Sequence, residues 1–520
     1  MTAHSSYIKE KRKVFVIIDL SGRQHHALAR TIRELGVFSV IKSIQRITSE
    51  DITDNYVLLF SAPCGFTTND QRLLKNIEET VFKSPASIVS IGGSYSIIAS
   101  ILGGSFNSNK QSAGRMVKFT SDDPLFLNID INELQVDHRD VCLEQPPKGA
   151  RVLAATSEGC IASFKISQGE KVIYGIQVNP ESLVENTGIK ILDNMLKAMS
   201  VERYWNIDYY YELALGEVLK YTSGNEYALA AVSGGVDSLV SALIAKRVLG
   251  DRLIPVFIDH GLFREGEPLE VMEKLRETGL EPLFIDAKER FLSRLEGVED
   301  CEKRRLIIGE VFAELFDELI TKHNARILIQ GTIYPDIVES GLSETDRVKS
   351  HHNVAGLPGW FRDKYIVIEP VKYLYKDEVR ALARKLNVPE YFIKRHPFPG
   401  PGLAARIIGP FTRKKLEVCR RASRIVEDVL RKHGLYIEAF QAFAVVGDDK
   451  WVGVKHGLRR EGFIVTVRIV RSIDAVTADY ARIPYDVLEE ISSEIRSSID
   501  EVTMVTYAIT PKPPSTIEPC

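Results

Sequence analysis

The chain has 520 residues, 44% hydrophobic and 26% charged, with 67 Lys and Arg against 70 Asp and Glu for a net charge of −3. That length predicts two or three domains, and the evenly mixed charge excludes a strong electrostatic footprint for nucleic acid or an anionic membrane. No apolar run is long enough to span a bilayer, and the polar start Met1 to Lys13 lacks a signal peptide's apolar core, so a cytoplasmic enzyme of small-molecule chemistry is expected.

In chain order, Val14 to Ile18, Tyr56 to Phe60 and Ala86 to Ile91 read as strands separated by helical stretches, an α/β pattern. Residues 1–200 resemble the class I glutamine amidotransferase family at two places. That family sets a nucleophilic cysteine in a Gly-x-Cys-x-Gly elbow shortly before a Leu-Gly-Gly, and pairs it with a downstream His-Pro-Glu. Here Leu102-Gly103-Gly104 aligns Ser90-Ile91-Gly92-Gly93-Ser94 with the elbow, which puts Gly92 at the cysteine position. Gly175-Ile176-Gln177-Val178-Asn179-Pro180-Glu181 puts Asn179 at the histidine and keeps only Glu181. The family's Gly-Gly-Pro oxyanion loop stands here as Ser61-Ala62-Pro63. A thiolate nucleophile needs a base in reach, and an asparagine amide takes no proton at neutral pH. Ser94 and Cys64 lie off the elbow with no evident base. A degenerate domain without glutaminase activity is expected, left to bind glutamine weakly, gate its neighbour or dock a partner. The six cysteines, Cys64, Cys142, Cys160, Cys301, Cys419 and Cys520, lack paired spacing, so reduced thiols are expected rather than disulfides or a zinc site.

An amphipathic helix, Trp205 to Leu219, leads to a strand at Tyr227 to Val232. The turn Ser233-Gly234-Gly235-Val236-Asp237-Ser238 follows, and then a helix with Val236, Val240, Leu243, Ile244 and Val248 at helical spacing, ended by Gly250. Glycines at a strand-to-helix turn let backbone amides and the helix's positive end face an anion. The hydroxyls of Ser233 and Ser238 add donors, and Asp237 is placed to position a magnesium ion. The lysine of the common P-loop is missing. The turn resembles the pyrophosphate loop of the PP-loop ATP pyrophosphatase superfamily, whose members cleave ATP between the α and β phosphates to adenylate a substrate oxygen.

Strands recur at Leu253 to Ile258, Pro282 to Ile285, Arg326 to Ile329 and Tyr365 to Ile368, and their alternation with helices predicts a doubly wound parallel sheet with ligands at the strands' carboxyl ends. Asp259, Arg264 and Gln330-Gly331-Thr332 fall there. The run from Gln330 to Ser340, Lys349-Ser350-His351-His352-Asn353, Lys376-Asp377-Glu378-Val379-Arg380 and the run from Arg395 to Ala404 resemble successive motifs of the GMP synthetase family. The resemblance implies ATP-dependent adenylation of the C2 oxygen of xanthosine monophosphate, then displacement of AMP by ammonia. It implies that Lys349 neutralises charge on the phosphates, that His351 and His352 belong to a mobile lid touching substrate, and that Arg264 binds the nucleotide monophosphate. No chemistry is attached to His260.

Beyond Pro401-Gly402 the pattern becomes α+β, with helices at Arg413 to His433 and Tyr485 to Ser498 and strands at Ala439 to Val446, Phe463 to Val470 and Val502 to Ile509. Lys512-Pro513-Pro514-Ser515-Thr516-Ile517-Glu518 matches the family's terminal motif, which makes Lys512 and Glu518 substrate contacts, with Gln441 a further one. Three domains are expected: a degenerate amidotransferase-like 1–200, a PP-loop 201–400, and a substrate-binding and dimerisation part, 401–520. Ammonia, free or from a separate glutaminase, is the expected nitrogen donor, and the chain is expected to be a homodimer. The loosened match after Gln441 leaves a divergent paralogue acting on another nucleotide open. A non-catalytic nucleotide sensor is the alternative of another class, against which the undamaged loop and lid motifs stand. tRNA thiolation wants catalytic cysteines and a basic face, and neither is evident.

Overall fold

The computed structural model describes residues 12–520 apart from 22–24, 49–50, 54–55, 120–121, 131–134, 185, 223, 342–356, 456 and 473–476. The chain divides into two compact units, Met1–Tyr210 with Gly341–Glu344, and Tyr211–Ser340 with Thr345–Cys520. Both are mixed α/β. Among the described residues no helix is long and apolar enough to cross a membrane.

The first unit is built on a nine-stranded sheet. Strands β1 (Val14–Asp19), β2 (Ser39–Ser43), β3 (Tyr56–Ala62) and β4 (Ser87–Gly92) are parallel, and every residue of β1, β3 and β4 is buried. Burial on both faces is why these strands read as continuous apolar runs. The sheet continues through β5 (Ser105–Phe119), β6 (Gln135–Gln145), β7 (Arg151–Thr156), β8 (Ile161–Gln168) and β9 (Lys171–Ile176). The order is β2-β1-β3-β4-β9-β8-β7-β5-β6, parallel as far as β9 and antiparallel beyond it.

The second unit holds a five-stranded all-parallel sheet of β10 (Tyr227–Ala231), β11 (Leu253–Asp259), β12 (Leu283–Asp286), β13 (Ala325–Ile329) and β14 (Ile366–Ile368), in the order β12-β11-β10-β13-β14. A further sheet pairs β15 (Gln441–Lys455), β16 (Leu458–Arg471) and β17 (Asp479–Tyr480) antiparallel, with β18 (Val502–Tyr507) parallel to β16. Two long helices accompany it, Arg413–Lys432, capped by the Thr412 hydroxyl on Lys415 N–H, and Tyr485–Ser498. One apolar cluster runs from Leu229, Val256 and Phe291 through Phe411, Val426 and Val467 to Val502, so both sheets of this unit share a core.

The cysteines depart from expectation. Cys142 pairs with Cys160 and Cys301 with Cys520, the latter across 219 residues, while Cys64 and Cys419 are buried thiols. Spacing along the chain says nothing about pairs that the fold brings to Cα separations of 5.1 and 5.5 Å.

Candidate active site

In the five-stranded sheet the strand order reverses at β10, the place at which open parallel sheets take ligands beyond their carboxyl ends. Ser233 to Ser238 occupies that place. Gly234 takes φ +81°, and a Cβ on it would lie 2.6 Å from both Arg395 Nη1 and Val271 Cγ1, so only glycine satisfies both conformation and space. Gly235 caps the helix Val236–Leu249. Ser238 Oγ accepts from Ser233 N–H at 3.2 Å, lies 3.2 Å from Ser233 Oγ, and donates to Gly235 O at 3.0 Å. Amides, hydroxyls and the helix's positive end together make an anion cradle.

Asp237, in the helix's first turn, has Oδ2 2.5 Å from Lys376 Nζ, whereas its buried Oδ1 has no hydrogen-bond partner among the described residues. Gly331, just past β13, packs on the same turn, where a Cβ would come 2.4 Å from Ser238 N. No group of three or more His, Cys, Asp or Glu side chains suited to a metal lies among the described residues. A lone carboxylate with one open oxygen fits a magnesium ion that completes its shell with water and polyphosphate, not an all-protein cage.

From the loop, Arg395 leads to a second cluster. Its Nη1 donates to Gly234 O at 2.6 Å and its Nη2 pairs with Glu267, and burial foremost, then Arg264, pushes its pKa down to about 10. Arg264 is 3% exposed: Nη1 bonds Glu267 Oε1 at 3.0 Å, and Nη2 lies 2.6 Å from Glu427 Oε1. Its guanidinium stands 4.8 Å from the centre of the Phe398 ring, as does that of Arg406 at 5.3 Å. Arg406 is fully buried, 4.1 Å from the Phe443 ring centre, and its Nη2 donates to Glu518 Oε1 at 3.2 Å. Its Nε and Nη1 have no hydrogen-bond partner among the described residues. Gln441 Nε2 donates to Pro397 O at 2.9 Å and, more weakly, to Glu518 Oε1 at 3.4 Å. The segment before Glu518 is held by Arg468, which donates to the carbonyls of Thr510, Thr516 and Ile517, while Lys512 exchanges backbone hydrogen bonds with Ala478. Guanidinium and phenyl faces beside a carboxylate and an amide suit a planar heterocycle bearing a sugar phosphate.

The structure thus brings Arg264, Gln441 and Glu518 together around Phe398 and Arg406, and places Ser233 to Ser238 across Arg395 from them. Lys349, His351 and His352 lie outside the described residues. Lys376, Arg395 and Phe398 fall within motifs legible in the sequence without standing out there as single side chains, and Glu267, Arg406 and Glu427 were missed. Glu267 also pairs with Arg264 three residues before it, but its contact with Arg395, that of Glu427 with Arg264 and that of Arg406 with Glu518 join distant segments, so only the fold makes them.

His260, with no chemistry expected, is a buried core residue. Leu262 N–H donates to its Nδ1 at 3.0 Å, its ring stacks on Phe263 at 4.1 Å, and burial pushes its pKa down to about 3. Between about pH 6.5 and 3 the unfolded chain binds a proton that the folded one refuses, so stability is whole above the window and falls as pH drops through it, by about 1.4 kcal/mol per pH unit at most. Urea unfolding at stepped pH should show His260→Phe with a shallower acid slope than the parent.

In the first unit, Gly92 joins β4 to the helix Gly93–Ile101 with φ +60° and ψ −134°, the sharp elbow that the alignment implies. A Cβ there would lie 2.1 Å from Ala62 O and 2.9 Å from Pro180 Cδ. Ser94 is fully buried, its hydroxyl accepting from Ile91 N–H and lying within donating reach of Phe60 O and Ile91 O. Asn179 Oδ1 is buried without a hydrogen-bond partner among the described residues. Glu181 lies in the turn Pro180–Val184, with its side chain outside the described part of the molecule.

A parallel sheet with a serine- and glycine-lined cradle at its switch point defines a PP-loop ATP-using ligase. Residues 428–519 match the family described as GMP synthase C terminal domain. Curated relatives named GMP synthase (glutamine-hydrolyzing) include one from Pyrobaculum aerophilum, 45% identical over 514 residues, 97% of this chain and 99% of the relative. Another, from Aeropyrum pernix, is 41% identical over 510 residues, 97% of this chain and 98% of the relative. Among solved structures, an NH3-dependent NAD synthetase from Campylobacter jejuni is 18% identical and covers 36% of this chain and 77% of its own, with a TM-score of 0.29, too low to bear on the fold. The chain belongs to the GMP synthase family.

Proposed function

We propose that the protein makes GMP from xanthosine monophosphate and ATP with ammonia rather than glutamine as its nitrogen source. The observation that carries the synthetase reading is the gathering of Arg264, Phe398, Gln441 and Glu518 in one unit with the Ser233–Ser238 cradle. In this reading the cradle's amides and hydroxyls grip the pyrophosphate that leaves as the C2 oxygen is adenylated. Lys376 fixes the Asp237 carboxylate, and Lys349 and His352 come from the segment between Thr332 and Lys376 in sequence. Magnesium, when bound at Asp237, neutralises phosphate charge. Arg264 takes the nucleotide's phosphate, and Gln441, Lys512 and Glu518 hold its base and ribose.

The ammonia reading rests on Gly92 and Asn179. A backbone carbonyl fills the space where a nucleophile's side chain would leave the elbow, and no proton acceptor stands at position 179. The relatives are named for glutamine hydrolysis; this chain's elbow has no group to perform it. A separate glutaminase, or free ammonia, then supplies the amine. Residues 401–520 are assigned the dimer contact, and the cytoplasm the reaction.

Purified protein with ATP, magnesium and xanthosine monophosphate should form GMP with ammonium and none above background with glutamine. GMP from glutamine at a comparable rate would overturn the ammonia reading. Nucleotide binding without turnover on either donor would replace the synthetase reading with that of a sensor.

A further inference from the structure

We infer that the first turn of the helix Cys301–Lys322 positions the substrate cluster, and that the Cys301–Cys520 disulfide makes this positioning redox-sensitive. The inference rests on the synthetase reading for what occupies the cluster, but not for the clasp itself.

Arg406 and Glu518 come from separate segments, a loop and a tail, and one helical turn holds both. Asp300 caps that turn through Lys303 N–H. Arg304, 1% exposed, donates from its guanidinium to the carbonyls of Ala404 at 3.1 Å, Ile407 at 2.6 Å and Gly409, which bracket Arg406. Two further donations, to Val298 O at 2.9 Å and Glu299 O at 3.1 Å, fix the same side chain. All five of these acceptors are main-chain carbonyls; a fully buried cation spent in this way is a fixture for backbone. On the tail side, Cys301 is bonded to Cys520, two residues beyond Glu518, and Arg305 Nη2 donates to Cys520 O at 2.7 Å. The distance between the buried Arg406 and its carboxylate is therefore set from one place.

Without the covalent link the segment keeps the Arg468 donations, the burial of Ile517, the Arg406 and Gln441 donations to Glu518 and the Arg304 and Arg305 donations to Cys520, but beyond Ile517 it is then held by hydrogen bonds alone, which open and close where the disulfide does not. Both cysteines are half-buried, so a reductant has a route to them. Cleavage is thiol–disulfide exchange: a dithiol's thiolate attacks one sulfur, its second thiolate resolves the mixed disulfide, and two electrons and two protons leave the dithiol as Cys301 and Cys520 become thiols. When Glu518 is in place only part of the time, apparent affinity falls by that fraction.

The test compares oxidised and dithiothreitol-reduced protein, thiols being counted in each, with Cys520→Ser and Cys142→Ser in parallel. Reduction should raise KM for xanthosine monophosphate by about tenfold, leaving kcat and KM for ATP within a factor of about two, since only substrate placement changes. Cys520→Ser should show the raised KM in either state, and Cys142→Ser should respond like the parent. Hydrogen exchange over residues 512–520 is read on the same samples and should quicken on reduction. Unchanged KM and unchanged exchange after proven cleavage, or a thiol count showing Cys301 and Cys520 never paired, overturns the inference. Absence of GMP formation in oxidised protein with quickened exchange on reduction overturns the synthetase reading and leaves the clasp standing.

Discussion

Asp237→Ala is expected to abolish AMP formation, a fall of about a thousandfold or more in kcat. Asp237 stands in the first turn of the helix that the cradle opens, with one oxygen on Lys376 and the other buried and open. The substitution removes the only carboxylate of the cradle and frees Lys376, whose ammonium then lies beside the polyphosphate with nothing to fix it. Charge that develops on the leaving pyrophosphate loses an arranged counter-charge, and an interaction of that kind appears in kcat more than in binding. Asp237→Asn keeps the shape and should fail nearly as badly, because an amide oxygen is a poor ligand for a hard dication. Pyrophosphate release with ammonium as donor measures both, and thermal unfolding shows whether the variants are folded. Full activity in a folded Asp237→Ala protein would place ATP elsewhere.

Restoring the missing glutaminase residues is the second large effect, expected as a negative. Gly92→Cys with Asn179→His supplies both the nucleophile and the base, yet should hydrolyse no glutamine and should unfold at a lower temperature. The Cβ of any residue at 92 would stand 2.1 Å from Ala62 O, and Ala62 and Gly92 are register partners at the ends of β3 and β4. Relief requires the end of β3 to shift, and β3 is wedged between β1 and β4 in the parallel part of the sheet. Overpacking of this kind costs on the order of 3 kcal/mol. Glutamate release from glutamine by the double variant would show that the elbow lacks only its chemistry, not its room.

The parallel strands were legible because burial on both faces writes them as unbroken apolar runs, as at Tyr56 to Phe60 and Leu253 to Ile258. The ends of the expected parallel strands fell within about two residues, whereas β15 runs on to Lys455 and β16 begins at Leu458, well outside the expected bounds; the helix Tyr485–Ser498 matched residue for residue. Strands β2 and β5 to β9 of the first sheet, and the two-residue β17, were not read, because they are short or carry mixed polar and apolar residues without such runs. At the site, Gly234 and Asp237 declare themselves through a local turn. Arg406 does not: it looks like any arginine until Phe443, Glu518 and the Arg304-held loop close round it. The disulfides escaped for the same reason, since Cys301 and Cys520 are neighbours only in the fold.

The shared core of the second unit has a bearing on how it fails. Residues contributed by β10 and β11 and by the helix Arg413–Lys432 belong to one apolar cluster, so opening either sheet bares the core face of the other. Heat or denaturant meets the five-stranded sheet and the β15–β18 sheet as a single cooperative block. A chain cut near residue 400 would yield two halves with bare apolar flanks, each a seed for aggregation rather than a smaller enzyme.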